Sequence, residues 1–274
     1  MQELTPTVSI QQNALGLYTG IIQTKEGNIL IDSPYRTDEL KNWGSRSSKS
    51  DSLFLVLLDT QYDRTLSAKG CDCIIVSQSD YLLPARPRQQ AVKLQEELLG
   101  SGDSHESIGS SSRPFSPEIS FDQNMNLFFG GVEVLLEHHP GSNVAGIWAT
   151  LPQEKVIFVG DSVMVNQPPF LAYSNPAAWA ADLKLLASRA FKGYQIVSSR
   201  AGVVSQDQVR TMAKLMTFIQ NSIENLKAKN ADLDTYLELI PRVLKRIEYS
   251  PAEGELFFNR LRWGLTTYYE LKQS

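Results

Sequence analysis

Histidine is scarce in this chain. There are three in 274 residues, His105, His138 and His139. Cysteine is scarcer still, with Cys71 and Cys73 alone, too few for a disulfide framework or a four-cysteine zinc site. The pair lies in Gly70-Cys-Asp-Cys-Ile-Ile-Val76, which reads as a strand. Alternate residues of a strand are separated by about 6–7 Å of chain, and a disulfide there would be strained. Two buried reduced thiols are the expectation, ahead of a redox pair or a metal pair. A basic excess is missing too: Lys plus Arg is 26 against 30 Asp plus Glu, a net charge of −4. Nucleic acid is therefore not an expected partner. No apolar run reaches the roughly 18 residues of a membrane-spanning helix, so no membrane is expected. The opening Met-Gln-Glu-Leu-Thr-Pro lacks the basic and apolar regions of a signal peptide, and the expected location is cytoplasmic.

What is present suits a globular chain of one to two domains. Hydrophobic residues make up 42% and charged residues 20%, ample for a core. The N-terminal part alternates apolar runs with turns. Gly16–Thr24 and Ile29–Ser33 read as strands joined by the turn Lys25-Glu-Gly-Asn28. Leu53–Leu58 and Cys71–Val76 are continuous apolar runs of strand length, the pattern of strands buried on both faces. Thr37–Trp43 and Arg88–Leu99 have helical spacing. Residues 100–120 form a Gly/Ser-rich loop, and His105 in it reads as a solvated side chain. A second strand block follows in Asn126–Phe129, Val132–Glu137, Gly146–Leu151 and Lys155–Val159. Pro176–Ala190 reads as a helix with Asn175 as its N-cap and Pro176 at its first position, and Tyr194–Ser198 as a final strand. From Gln206 the spacing is helical, with further helices over Leu233–Ile247 and Glu255–Leu271.

Two polar clusters close apolar strands: Leu57-Leu-Asp-Thr-Gln-Tyr-Asp-Arg64, and His139-Pro-Gly-Ser-Asn143 with the later Val159-Gly-Asp161. Strand ends of this kind are where α/β proteins place chemistry. In the order and spacing of these elements, residues 8–205 resemble the metallo-β-lactamase superfamily, most specifically over His139–Asp161. The resemblance implies a four-layered αβ/βα sandwich for residues 1–205, with the helices of residues 206–274 packed on it as a C-terminal extension. It also implies a two-metal site held by a strand-end His-x-His-x-Asp-His motif, a Pro-Gly-His turn, a bridging aspartate and a late loop histidine. The matching residues here are Asp59, Gln61, Asp63 and Arg64, then Ser142, Asp161 and Arg200. Only Asp63 and Asp161 are of the expected type, and none of the three histidines falls on a ligand position.

A guanidinium cannot ligate a metal, but it can satisfy carboxylates through bidentate hydrogen bonds. The expectation is therefore a degenerate site in which Arg64 and Arg200 replace the metal's charge, with no cofactor and no zinc hydrolase activity. The chain would then act in binding, regulatory or structural roles. A cleft lined by Tyr62, Ser142, Asn143 and Arg200 could hold a small anionic molecule, and Trp263, Tyr268 and Tyr269 could form a homodimer face. A second reading stays open. Asp59, Asp63 and Asp161, with His139, make an oxygen-rich set suited to one divalent Mg²⁺ or Mn²⁺ ion, as in an atypical metal-dependent hydrolase. A third, nucleophilic catalysis by Ser142 or Ser199, lacks a Gly-x-Ser-x-Gly elbow.

Overall fold

The computed structural model describes residues 1–13, 15–34, 39–40, 52–81 and 116–273. Its strands are β1 Gln2–Glu3, β2 Val8–Gln12, β3 Tyr18–Gln23, β4 Asn28–Ile31, β5 Ser52–Val56, β6 Ile74–Gln78, β7 Ile119–Phe121, β8 Asn124–Phe129, β9 Val132–His138, β10 Ile147–Leu151, β11 Val156–Phe158, β12 Gln195–Ser198 and β13 Gly202–Val204. The helices are α1 Pro176–Leu186, α2 Gln206–Ala228, α3 Leu233–Leu237, α4 Leu239–Leu244 and α5 Gly254–Gln273. One sheet has seven strands in the order β1 to β7 and the other six, in the order β13-β12-β11-β10-β9-β8. Pairing in the first sheet is antiparallel from β1 to β4 and parallel from β4 to β7. In the second sheet β11 and β12 are the parallel pair.

The two sheets pack face to face, and the alternation of side chains along each strand explains the unbroken apolar runs. Ile29 and Ile31 enter the core between the sheets, while Leu30 points to the opposite face with Leu55, Leu57 and Ile75. In the second sheet Ile147, Ala149, Val156 and Phe158 face the first sheet, and Trp148 and Ile157 face the helices. That outer core takes in Trp179 and Leu183 of α1, Val209 to Ile223 of α2, and Leu261, Leu265 and Tyr268 of α5. The C-terminal helices thus share one core with the second sheet.

Several local expectations are corrected. The sixth strand begins at Ile74, not Cys71. Cys71 ends the 3-10 turn Leu66–Gly70, and the chain bends through Asp72 and Cys73. That bend brings the two Cα atoms to 5.3 Å, and the cysteines are joined in a disulfide, not held as reduced thiols. Leu233–Ile247 is two short helices, because Pro241 has no N–H for the carbonyl of Leu237. Tyr194–Ser198 is not the last strand, since β13 folds back on β12 through Gly202 (φ 66°). Of Thr37–Trp43, Glu39 and Leu40 are described and helical. Arg88–Leu99, His105 and the side chain of Tyr62 lie outside the described residues. Asn175 caps α1 by accepting from the Ala178 N–H. Tyr268 is buried in the core, Tyr269 packs edge-on against Tyr236 at 5.1 Å, and Trp263 packs against Tyr173 at 6.3 Å. Of the three rings expected to form a homodimer face, Tyr268 is buried, while Trp263 and Tyr269 are part-exposed.

Candidate functional site

The C-terminal ends of the parallel pairs β4/β5 and β11/β12 converge, as expected for an α/β site. Each end supplies charge. Asp32 follows β4 with a left-handed backbone (φ 58°). Its Oδ1 accepts from the Leu58 N–H at 2.8 Å and its Oδ2 from the Ser199 hydroxyl at 3.2 Å. Asp59 follows β5, and its Oδ1 accepts from the Gln61 N–H at 2.8 Å. Asp63 and Arg64 sit on the short 3-10 turn Tyr62–Arg64. The carbonyl of Arg64 anchors that turn, accepting from the N–H and hydroxyl of Ser33. Asp161 lies on the turn Gly160–Ser162 after β11. Gly160 holds φ 56° there, and the indoles of Trp148 and Trp179 donate to Ser162. Arg200 stands between β12 and β13, its N–H donating to Ser198 Oγ.

Arg64 is wholly buried at the centre. Its Nη1 donates to Asp161 Oδ1 at 2.7 Å and its Nη2 to Asp59 Oδ2 at 2.5 Å. Its Nε lies 3.3 Å from Asp32 Oδ2, and its Nη1 lies 3.9 Å from Asp63 Oδ1. Arg200 completes the network, donating from Nη2 to Asp63 Oδ2 at 2.6 Å and from Nε to Asp161 Oδ1 at 3.1 Å. Four carboxylates thus meet two guanidiniums. Burial pushes Asp32 up to about 7 and Asp59 up to about 6, and in both the charge of Arg64 opposes that rise. Asp161 is held below the ordinary carboxylate value: the charges of Arg200 and Arg64 outweigh its burial.

Of the residues singled out in the sequence, Asp59, Asp63, Arg64, Asp161 and Arg200 are brought into direct contact. Gln61 is half-buried beside them. Ser142 is 7% exposed and takes no part in the ion pairs among the described residues. Asn143 bonds to Thr60 and to the Ala145 N–H. His139 is engaged elsewhere, its Nδ1 bonded to Asp182 Oδ1 at 2.9 Å and its ring stacked on Trp148 at 3.7 Å. His138 Nε2 bonds to the Val144 carbonyl. Gly141 is needed where it stands, because a Cβ there would meet the backbone of Trp179 at 2.5 Å. Ser199 donates to Asp32, an acid and not the histidine base that nucleophilic catalysis would need. Asp32 is the site residue that the sequence motifs do not single out. Its signal is an acidic residue closing an apolar strand, the same signal that picks out Asp59.

No family model and no curated protein matches the sequence. Solved structures match the fold. The stereoselective inverting sec-alkylsulfatase Pisa1 from Pseudomonas sp. superposes with a TM-score of 0.71 at 13% identity, over 98% of this chain and 49% of its own. The chain therefore spans about half the length of that enzyme. A metallo-β-lactamase family protein from Thermus thermophilus gives 0.63 at 16% identity over 99% of this chain and 95% of its own. A metallo-β-lactamase from Pontibacter korlensis gives 0.58 at 18% over 79% and 97%. The chain has the metallo-β-lactamase fold, with two mixed sheets and flanking helices.

Proposed function

We propose that this chain is a metallo-β-lactamase-fold protein whose centre is held together by guanidinium–carboxylate pairs in place of metal ions. It acts as a binding, regulatory or structural protein and not as a zinc hydrolase. The observation that carries this reading is the Arg64 guanidinium, fully buried and bonded to Asp59 and Asp161 at once. A guanidinium has no lone pair to offer a metal, and its N–H groups bond Asp161 Oδ1 and Asp59 Oδ2 where a cation would sit. Asp63 and Asp161 are further engaged by Arg200, and His139 by Asp182. Among the described residues, no group of three or more His, Cys, Asp or Glu side chains is placed to hold a metal ion. The residues present therefore do not fit the dinuclear centre implied by the fold.

A second reading has one observation in its favour. The four carboxylates outnumber the two guanidiniums, which leaves negative charge for a Mg²⁺ or Mn²⁺ ion. In that case Asp59, Asp63 and Asp161 would serve an atypical hydrolase. The test is elemental analysis of chain purified from zinc- and manganese-supplemented medium, with melting curves before and after a chelator. Metal content far below one ion per chain and an unchanged melting point are expected. Stoichiometric metal, with an esterase activity lost in Asp161→Asn, would overturn the first reading in favour of the second.

A further inference from the structure

The sequence suggests a small anion in a cleft lined by Arg200 and Asn143, but both side chains are already committed there, Arg200 to Asp63 and Asp161 and Asn143 to Thr60. Another arginine is not. Arg260 of α5 is 4% exposed, and its Nε is buried without a hydrogen-bond partner. Its Nη1 donates to Gln167 Oε1 at 2.9 Å and to the Pro168 carbonyl at 3.4 Å, both neutral acceptors. Among the described residues it has no carboxylate in ion-pair contact. Its guanidinium lies 4.2 Å from the Phe170 ring centre and 5.2 Å from that of Phe257. A buried cation lacking an anion is costly. Its pKa is pushed down to about 9, first by burial and then by the charge of Arg200, against the smaller opposing effects of Asp161, Asp63 and Glu253.

Arg260 lines a cavity of about 510 Å³, within the range of small-molecule sites. Val165, Leu256, Phe257 and Tyr249 give it an apolar side within a lining that is more polar than apolar, and Asn166 and Gln167 give it amides. Glu248, Glu253 and Ser250 also line it, and all three are exposed, so they form its solvent side. The two carboxylates at the mouth repel polyanions; Glu253 acts on the Arg260 charge without a direct ion pair, so the guanidinium keeps donors for one more anion. A planar carboxylate suits the guanidinium edge.

We propose that this cavity binds a small organic monoanion, a carboxylate on a compact apolar body, with Arg260 as its anchor. The proposal does not rest on the centre being free of metal. The probe is benzoate, titrated into the full chain by calorimetry and by amide NMR, with benzylamine and inorganic phosphate as comparisons. Saturable benzoate binding in the millimolar range or tighter is expected, with shifts at Gln167, Ser250 and Phe257. Arg260→Met should weaken it by roughly tenfold or more, as for a lost charge-assisted contact. Arg260→Lys, which keeps the charge without the fork, should weaken it less. If Arg260→Met does not fold, Leu256→Trp narrows the cavity from its wall and must weaken binding too. Absence of saturable benzoate binding, equal binding of benzylamine or phosphate, or an affinity unmoved by these variants would overturn the assignment. Metal content is read on the same sample, so failure here is distinguishable from failure of the metal-free reading.

Discussion

Arg64 and Arg260 are both buried, and they lie in opposite company. Arg64 stands among Asp32, Asp59, Asp63 and Asp161. Arg260 stands among aromatic rings and neutral acceptors. Arg64 is a cation that the fold uses to bind its own acids, and its charge is taken up within the chain. Arg260 is a cation with no direct ion pair among the described residues, set beside a cavity and reached only at longer range by Asp161, Asp63 and Glu253. Burial alone does not mark a functional arginine; what matters is whether the chain supplies its counter-charge.

The contrast can be broken by mutation. Arg64→Met strands several buried carboxylates and should cost about 3–5 kcal/mol of stability, the usual range for breaking a buried pair. Urea unfolding at neutral pH measures it. The defect should shrink at pH 5, where the stranded acids take up protons. Arg200→Lys keeps a charge but loses the paired contacts to Asp63 and Asp161. It should cost about 1.5–3 kcal/mol, checked by the same unfolding curve.

The pH dependence of the parent chain comes next in size. Asp32 and Asp59 titrate near 7 and 6 in the folded chain, against 3.8 unfolded. Between those values the folded state holds more protons, so stability falls as pH rises from about 4 through 7. Asp161 works the other way, and its contribution is lost as pH falls below its unfolded value. A melting point higher at pH 5 than at pH 8 is expected, by at least about 1 kcal/mol in unfolding free energy. Asp32→Asn should flatten that slope. Arg260→Met should have the smallest effect, within about 1 kcal/mol of the parent, because it removes a charge with no direct ion pair among the described residues, on which Asp161, Asp63 and Glu253 act only at longer range. A loss as large as that of Arg64→Met would end the distinction between the two arginines.

Much of this architecture is legible in the sequence. The strands carrying Leu30, Leu55 and Trp148 are readable because they are apolar on both faces. Asp161 and Arg64 are readable because they close such strands at a recognisable spacing. The fourth carboxylate is legible only in part: Asp32 closes an apolar strand as Asp59 does, but it joins the site through a left-handed backbone and a contact with Leu58, which composition does not signal. The expectation of free thiols fails because the strand starts three residues later than its apolar run, and a bend brings together what an extended chain holds apart. Arg260 escapes notice because an arginine in an amphipathic helix reads as a solvated charge. Only the packing of α5 on Phe170 buries it.

The central ion pairs also join distant parts of the chain. Arg64 and Asp161 are separated by 97 positions, and Asp63 and Arg200 by 137. Each pair bridges the first sheet and the second. Contacts of such sequence separation carry a large loop-closure cost when they form. The network accordingly works as a rivet, pinning the ends of the two sheets to each other across most of the chain's length.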